Sequence, residues 1–133
     1  MLYESVFHHL RGTKAGEILD RQHLQIKRKH QDVRTAILEG GGMERIIACS
    51  KDLIAATRAH FQSEERAMDA NTLRNFTAHR EMHDDIIESL QDISNDLEQR
   101  RISGAMELMK LFESRILYHL DIEDAALERE LKS

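Results

Sequence analysis

The chain has no proline, no tryptophan, a single cysteine (Cys49) and only six glycines in 133 residues, three of them consecutive at Gly40, Gly41 and Gly42. Without proline, nothing removes a backbone donor inside a helix, and with 32% charged residues and 5% aromatics the composition points to long uninterrupted helices. One cysteine excludes an internal disulfide framework and fits a reducing compartment. No run of about 20 apolar residues exists to span a membrane. The opening MLYESVFHHL places Glu4, His8 and His9 where a secretory leader would be apolar, so a cytoplasmic chain is expected. Basic residues form no block of five, and the formal net charge is −5, which argues against a nucleic-acid partner. Lys27-Arg28-Lys29 reads as a solvated helix face.

What is present is a helical period in four segments, at a length that suits a single domain over 1–133. The first runs from 14 or 20 to 39, with Thr13 and Asp20 each offering an N-cap and the glycine run as its stop. The second covers about 43–68, the third about 73–99, and the fourth starts after Ser103-Gly104 and runs over 104–130. Asp69-Ala70-Asn71-Thr72 reads as a loop. Residues 1–12 form an N-terminal arm with Leu2, Tyr3, Val6, Phe7 and Leu10 available for packing. Four long helices joined by short connections predict an all-α, up-down-up-down antiparallel four-helix bundle.

Stepping along each helix by three or four residues keeps to one face. From His79 the steps meet Phe76, His83, Ile86, Leu90 and Ile93. Back from His60 lie Ala56, Leu53, Cys49 and Ile46; back from His119 lie Ile116, Phe112 and Leu108. Forward from His23 lie Ile26, His30, Val33 and Ile37. Each segment therefore carries histidine on the stripe that should face the core. A lone core histidine is usually a hydrogen-bonded packing residue, and the pair in HREMH (79–83) is weak evidence by itself. Taken together, His23, His60, His79, His83 and His119 converge on one interior, with Glu64 one turn after His60 and Asp124 five residues after His119.

Burying five imidazoles and two carboxylates without partners would be very costly, and a metal centre removes that cost. An all-nitrogen and oxygen donor set suits iron, manganese or zinc. Cys49, about 16 Å along the helix before His60, reads as core packing. Seven ligands are too many for one first-row ion. If both carboxylates and a solvent oxygen bridge two ions, three histidines saturate one and two leave the other with an open position for a small ligand.

The patterns D-x-Q-H (Asp20, Gln22, His23), H-F-x-x-E-E (His60, Phe61, Glu64, Glu65), H-x-x-x-H (His79, His83) and H-x-x-x-x-D (His119, Asp124) resemble those of the hemerythrins, most closely the bacterial branch. The resemblance implies a non-haem centre of two iron ions with an oxo or hydroxo bridge that binds dioxygen. It implies that His79, His83 and His119 hold the saturated iron, that His23 and His60 hold the iron with the vacancy, and that Glu64 and Asp124 bridge. Phe61 and Ile116 would then line an apolar oxygen pocket. The sequence departs from the family in lacking tryptophan and in three polar positions: Arg115 four before His119, Asp121, and Lys27 four after His23. A pocket wetted by these groups would favour autoxidation over carriage.

The expected function is reversible dioxygen binding for storage, delivery or sensing, with dioxygen or another small diatomic or peroxide molecule as ligand. The alternative is a di-iron enzyme acting on hydrogen peroxide, oxygen or nitric oxide at the same open position. A bundle holding zinc or manganese without redox chemistry is a third reading. No electron-donor site or substrate pocket is legible, which favours binding over catalysis. No attached output domain is legible either, which favours a carrier, or a sensor that acts through a separate protein partner. His30, about 10 Å along the helix from His23, reads as a polar residue on the bundle face or rim, with a proton relay as the sharper alternative. His8 and His9 read as surface residues.

Overall fold

The computed structural model describes residues 14–70, 76–117 and 119. Within them the chain forms α1 (Lys14–Leu38), α2 (Met43–Ala70), α3 (Phe76–Glu98) and α4 (Ile102–Leu111), and α4 continues into a π-helical turn over Phe112–Ile116. The described residues contain no strand. Residues 1–12, the stretch 73–75, Asp121, Asp124 and the rest of 120–130 lie outside the described residues. α1 packs on α2, α3 packs on α4, and α2 touches both α3 and α4. Pairings such as Lys51 with Glu98 at one end of α2 and Glu65 with His83 near the other show that α2 and α3 run antiparallel. This is an all-α four-helix bundle, as the four periodic segments predict.

One buried stripe per helix makes the core: Ile26, Val33 and Ala36 of α1; Ile46, Ile47, Leu53, Ile54 and Phe61 of α2; Ile86, Leu90, Ile93 and Leu97 of α3; Ala105, Leu108, Met109, Phe112 and Ile116 of α4 and its π turn. Toward the end of the bundle opposite the connection between α1 and α2, the same stripes change from aliphatic to histidine. The fold thus carries the candidate ligands inward by continuing its apolar period. Thr57, in the α2 core stripe, satisfies its hydroxyl by donating to the Leu53 carbonyl oxygen at 2.8 Å.

The two helix stops at the far end use one device. Gly40, at φ +62°, follows α1, and Gly41 N–H bonds back to the Ala36 carbonyl at 2.9 Å. This is the left-handed turn in which glycine is least strained. After α3 the same geometry falls on Arg100, at φ +59°, with Arg100 N–H bonding to Leu97 O and Arg101 N–H to Asp96 O, both at 3.0 Å. Arg100 also pairs with Glu44 across the end of the bundle.

Two boundaries differ from the sequence reading. Asp69 and Ala70 complete α2 and are not loop. α4 starts at Ile102, with Gly104 buried inside it. A Cβ at Gly104 would meet Asp96 Cβ at 3.1 Å, Leu97 Cγ at 3.2 Å and the Ile93 carbonyl oxygen at 3.3 Å. This glycine marks close approach of α4 to α3, which a one-dimensional reading takes for a break. Gly104→Ala should therefore destabilise the fold by about 1 kcal/mol or more through overpacking, in spite of the ~1 kcal/mol that alanine gains over glycine in a helix. A lower urea midpoint at unchanged m-value would show it.

Candidate metal centre

Five imidazoles and one carboxylate meet where the four stripes turn polar. His23, His60, Glu64, His83 and His119 are fully buried and His79 is 5% exposed. They form two groups that share Glu64. One is Glu64, His79, His83 and His119; the other is His23, His60 and Glu64; within each group the donor atoms lie within 4.8 Å of one another. Glu64 faces the two groups with different oxygens. Its Oε1 contacts His79 Nε2 and lies 3.6 Å from His83 Nε2 and 3.8 Å from His119 Nε2, while its Oε2 lies 3.0 Å from His60 Nε2. Asp124, the seventh residue of the expected set, lies outside the described residues.

The outer nitrogens explain why the inner ones point inward as lone pairs. His83 Nδ1 donates to Glu65 Oε2 at 3.0 Å, and His60 Nδ1 is 3.4 Å from Gln22 Oε1, whose own Nε2 donates to Ser63 Oγ at 3.0 Å. A carboxylate oxygen only accepts, so the His83 proton sits on Nδ1 and its Nε2 carries a lone pair. The Gln22 carbonyl oxygen does the same for His60. Those lone pairs face nitrogen: His23 Nε2 and His60 Nε2 are 3.0 Å apart, and His83 Nε2 and His119 Nε2 are 2.9 Å apart.

The residues fit a metal on two observations. Glu64 Oε2 is buried and accepts no hydrogen bond although His60 Nε2 is 3.0 Å away. A buried carboxylate oxygen beside lone pairs wants a cation. The second is spacing. With metal–nitrogen bonds of ~2.1 Å, adjacent ligands of an octahedral ion lie ~3.0 Å apart and those of a tetrahedral ion ~3.4 Å. Separations of 2.9–3.0 Å in the set are of this order, and Glu64 Oε1 lies farther, at 3.6 and 3.8 Å, from His83 and His119, so the donors are close enough to share an ion. A donor set of nitrogen and oxygen suits iron, manganese or zinc.

Burial alone would raise the pKa of Glu64, but the contacts with His119, His60, His79 and His83 outweigh it and hold the carboxyl well below its ordinary value. Burial lowers the pKa of His60, opposed by Glu64. Both effects favour an anionic Glu64 beside a neutral His60, the protonation state that ligates metal.

Phe61 packs directly on this cluster. It is fully buried, stacked on the His83 ring at a centroid distance of 4.0 Å with 3° between planes, and edge-on to His119 at 5.4 Å. Ile116, one turn before His119, is fully buried. Arg115, expected beside the pocket, is exposed. The centre of the stripe is Phe112, Ile116 and His119, so Arg115 falls on its flank, where a long aliphatic stem carries the charge to water. Lys27 is half-buried. Helical stepping left Gln22, Ser63 and Glu65 without roles. Their partners sit on other helices; Gln22 and Glu65 stood in the sequence as letters of the patterns around the ligands, and Ser63 had no such signal.

His30 is deeper than a rim residue. Its side chain is 13% exposed, stacked on Phe112 at 4.3 Å and 10°, with Nε2 3.8 Å from Glu113 Oε1. Burial is the main cause that lowers its pKa from 6.5, Arg34 adds to this, and Glu113 opposes it. Below pH 6.5 a proton prefers this histidine in the unfolded chain. Its contribution to stability is therefore fully present above that pH and is lost as the pH falls through the folded-state value. Between about pH 7.5 and 5.5, the melting temperature of metal-free His30→Gln should fall less than that of the unsubstituted chain.

Comparison with known proteins agrees with the site. Myohemerythrin-1 of Phascolopsis gouldii is 37% identical over 57 residues, which is 43% of this chain and 48% of that relative. Over that stretch the chain is similar to a hemerythrin. The match spans about half the length of that relative. No family model matches the chain, and no solved structure matches it significantly. The hemerythrin-like reading therefore rests on the aligned stretch together with the His/Glu cluster. Among the described residues no helix is long and apolar enough to cross a membrane.

Proposed function

We propose that this hemerythrin-like chain holds two iron ions and uses them to bind dioxygen reversibly, for storage, delivery or sensing. The observation that carries the reading is Glu64, a buried carboxylate with one oxygen toward His60 and the other toward His79, His83 and His119. A carboxylate shared in this way suits two ions. Asp124 would be the second shared carboxylate, by its place in the hemerythrin-like pattern. When bound, such a centre supplies two electrons to dioxygen and recovers them on release.

The residues of the chain divide the remaining work. His79, His83 and His119 hold one ion. His23 and His60 hold the other with one nitrogen fewer, which leaves room there for a small ligand. Phe61 and Ile116, both fully buried, help keep bulk water from the cluster, with Phe61 packed on the rings of His83 and His119.

The test is spectroscopic. The iron-loaded protein is reduced without oxygen, exposed to air, and then degassed, with visible absorption recorded throughout. A charge-transfer band that appears in air, fades on degassing and returns over several cycles is expected. Immediate irreversible oxidation, with rapid consumption of added hydrogen peroxide, would replace the binding reading with an enzymatic one.

A further inference from the structure

Resting on the reading of a two-metal centre, we propose that Glu65 and Gln22 are positioning residues that set the two ions apart. Glu65 strengthens the ligand His83 with a full negative charge, while Gln22 orients the ligand His60 with a neutral amide.

The two arrangements are built alike and differ in charge. Each outer residue accepts from the Nδ1 of one ligand histidine, at 3.0 Å for Glu65 and 3.4 Å for Gln22. Each is itself held by a third side chain: Glu65 Oε1 lies 3.5 Å from Arg80 Nε, and Gln22 donates to Ser63 Oγ at 3.0 Å. Both ligand rings are fully buried, so little solvent screens what their Nδ1 partners do. A carboxylate that draws on the Nδ1 proton pushes electron density to Nε2 and makes a stronger donor, and such outer partners commonly change metal affinity by about 10–100-fold. An amide fixes ring orientation with much less of this effect. Glu65 follows Glu64 directly on α2, so one helix supplies both the shared ligand and the charge behind His83. Gln22 precedes His23 on α1 and reaches across to His60 on α2.

The consequence is an order between the ions. The ion on His83 binds more tightly and better tolerates the higher oxidation state. The ion on His60 stays the more electron-poor and the more open to an incoming ligand. The asymmetry lies in outer residues as well as in the count of histidines.

Cobalt(II) tests this without redox chemistry. The metal-free protein is titrated with Co²⁺ in the absence of oxygen, by calorimetry and visible absorption, for the unsubstituted chain, Glu65→Gln and Gln22→Glu. Two ions per chain in two resolved steps are expected for the unsubstituted chain. Glu65→Gln should weaken the tighter step by about 10-fold or more and leave the other in place. Gln22→Glu should tighten the weaker step and draw the two together. That gain of affinity cannot come from damaged folding, and it moves the cobalt spectrum of one step only. If the unsubstituted chain binds two ions but Glu65→Gln leaves both steps unchanged or weakens both alike, or Gln22→Glu tightens neither, the assignment of Glu65 and Gln22 is overturned and the two-metal reading stands. If the unsubstituted chain binds fewer than two ions, both fall.

Discussion

Glu64→Ala should abolish tight binding of both metal ions, whereas His60→Ala should lose one. The difference follows from position. His60 belongs to one donor group, and Glu64 is the residue common to both. Removing the carboxylate takes an oxygen from each ion and deletes the only charge of that sign at the centre of the described donor set. The loss should also register as stability. A ligand at 1,000 times its dissociation constant stabilises a fold by about 4 kcal/mol, so metal should raise the melting temperature of the unsubstituted chain by many degrees and that of Glu64→Ala hardly at all. Glu64→Gln keeps the shape, loses the charge, and should fall between them. Elemental analysis after gel filtration and thermal melts with and without metal give both readouts. Equal loss from His60→Ala and Glu64→Ala would contradict a shared ligand.

Phe61→Ala should cost about 3–5 kcal/mol even without metal, a large part of the 5–15 kcal/mol typical of a domain's whole stability. Phe61 is among the largest fully buried side chains, and it sits where the apolar core meets the imidazoles. The alanine variant leaves a cavity against the flat face of His83 and the edge toward His119. Two ligand rings then lose the wall that fixes their planes, so metal affinity should fall along with stability. Phe61→Leu retains most of the apolar volume and should cost about 1.5 kcal/mol or less, while its affinity still drops because an aliphatic side chain cannot stack. Urea denaturation of the metal-free variants separates the stability effect from the metal effect. An alanine variant as stable as the unsubstituted chain would show that Phe61 is not a core residue.

The bundle, and the meeting of six of the seven expected ligand residues in its interior, could be read from the sequence because both follow one period. Stepping from His119 meets Ile116, Phe112 and Leu108, and all three are fully buried. Stepping from His79 meets His83, Ile86, Leu90 and Ile93, all buried. Features that depend on another helix could not be read this way. Gly104 looked like a break because its reason, contact with Asp96, Leu97 and Ile93, lies on α3. The stop after α3 carried no glycine, since Arg100 takes the left-handed position itself. The π turn before His119, where Leu117 N–H bonds to the Phe112 carbonyl, has no sequence signature. Glu65 and Gln22 were visible as letters of a pattern, but their work is done across helices, on His83 and His60. Arg115 was placed by the family resemblance, and its exposure follows from its position on the flank of the stripe.

These side chains are expected to hold two metal ions in one bundle. The most direct measurement is metal content per chain after anaerobic reconstitution with iron and removal of the unbound excess. Two iron ions per chain are expected, falling to about one in His60→Ala. One ion or none in the unsubstituted chain would contradict it.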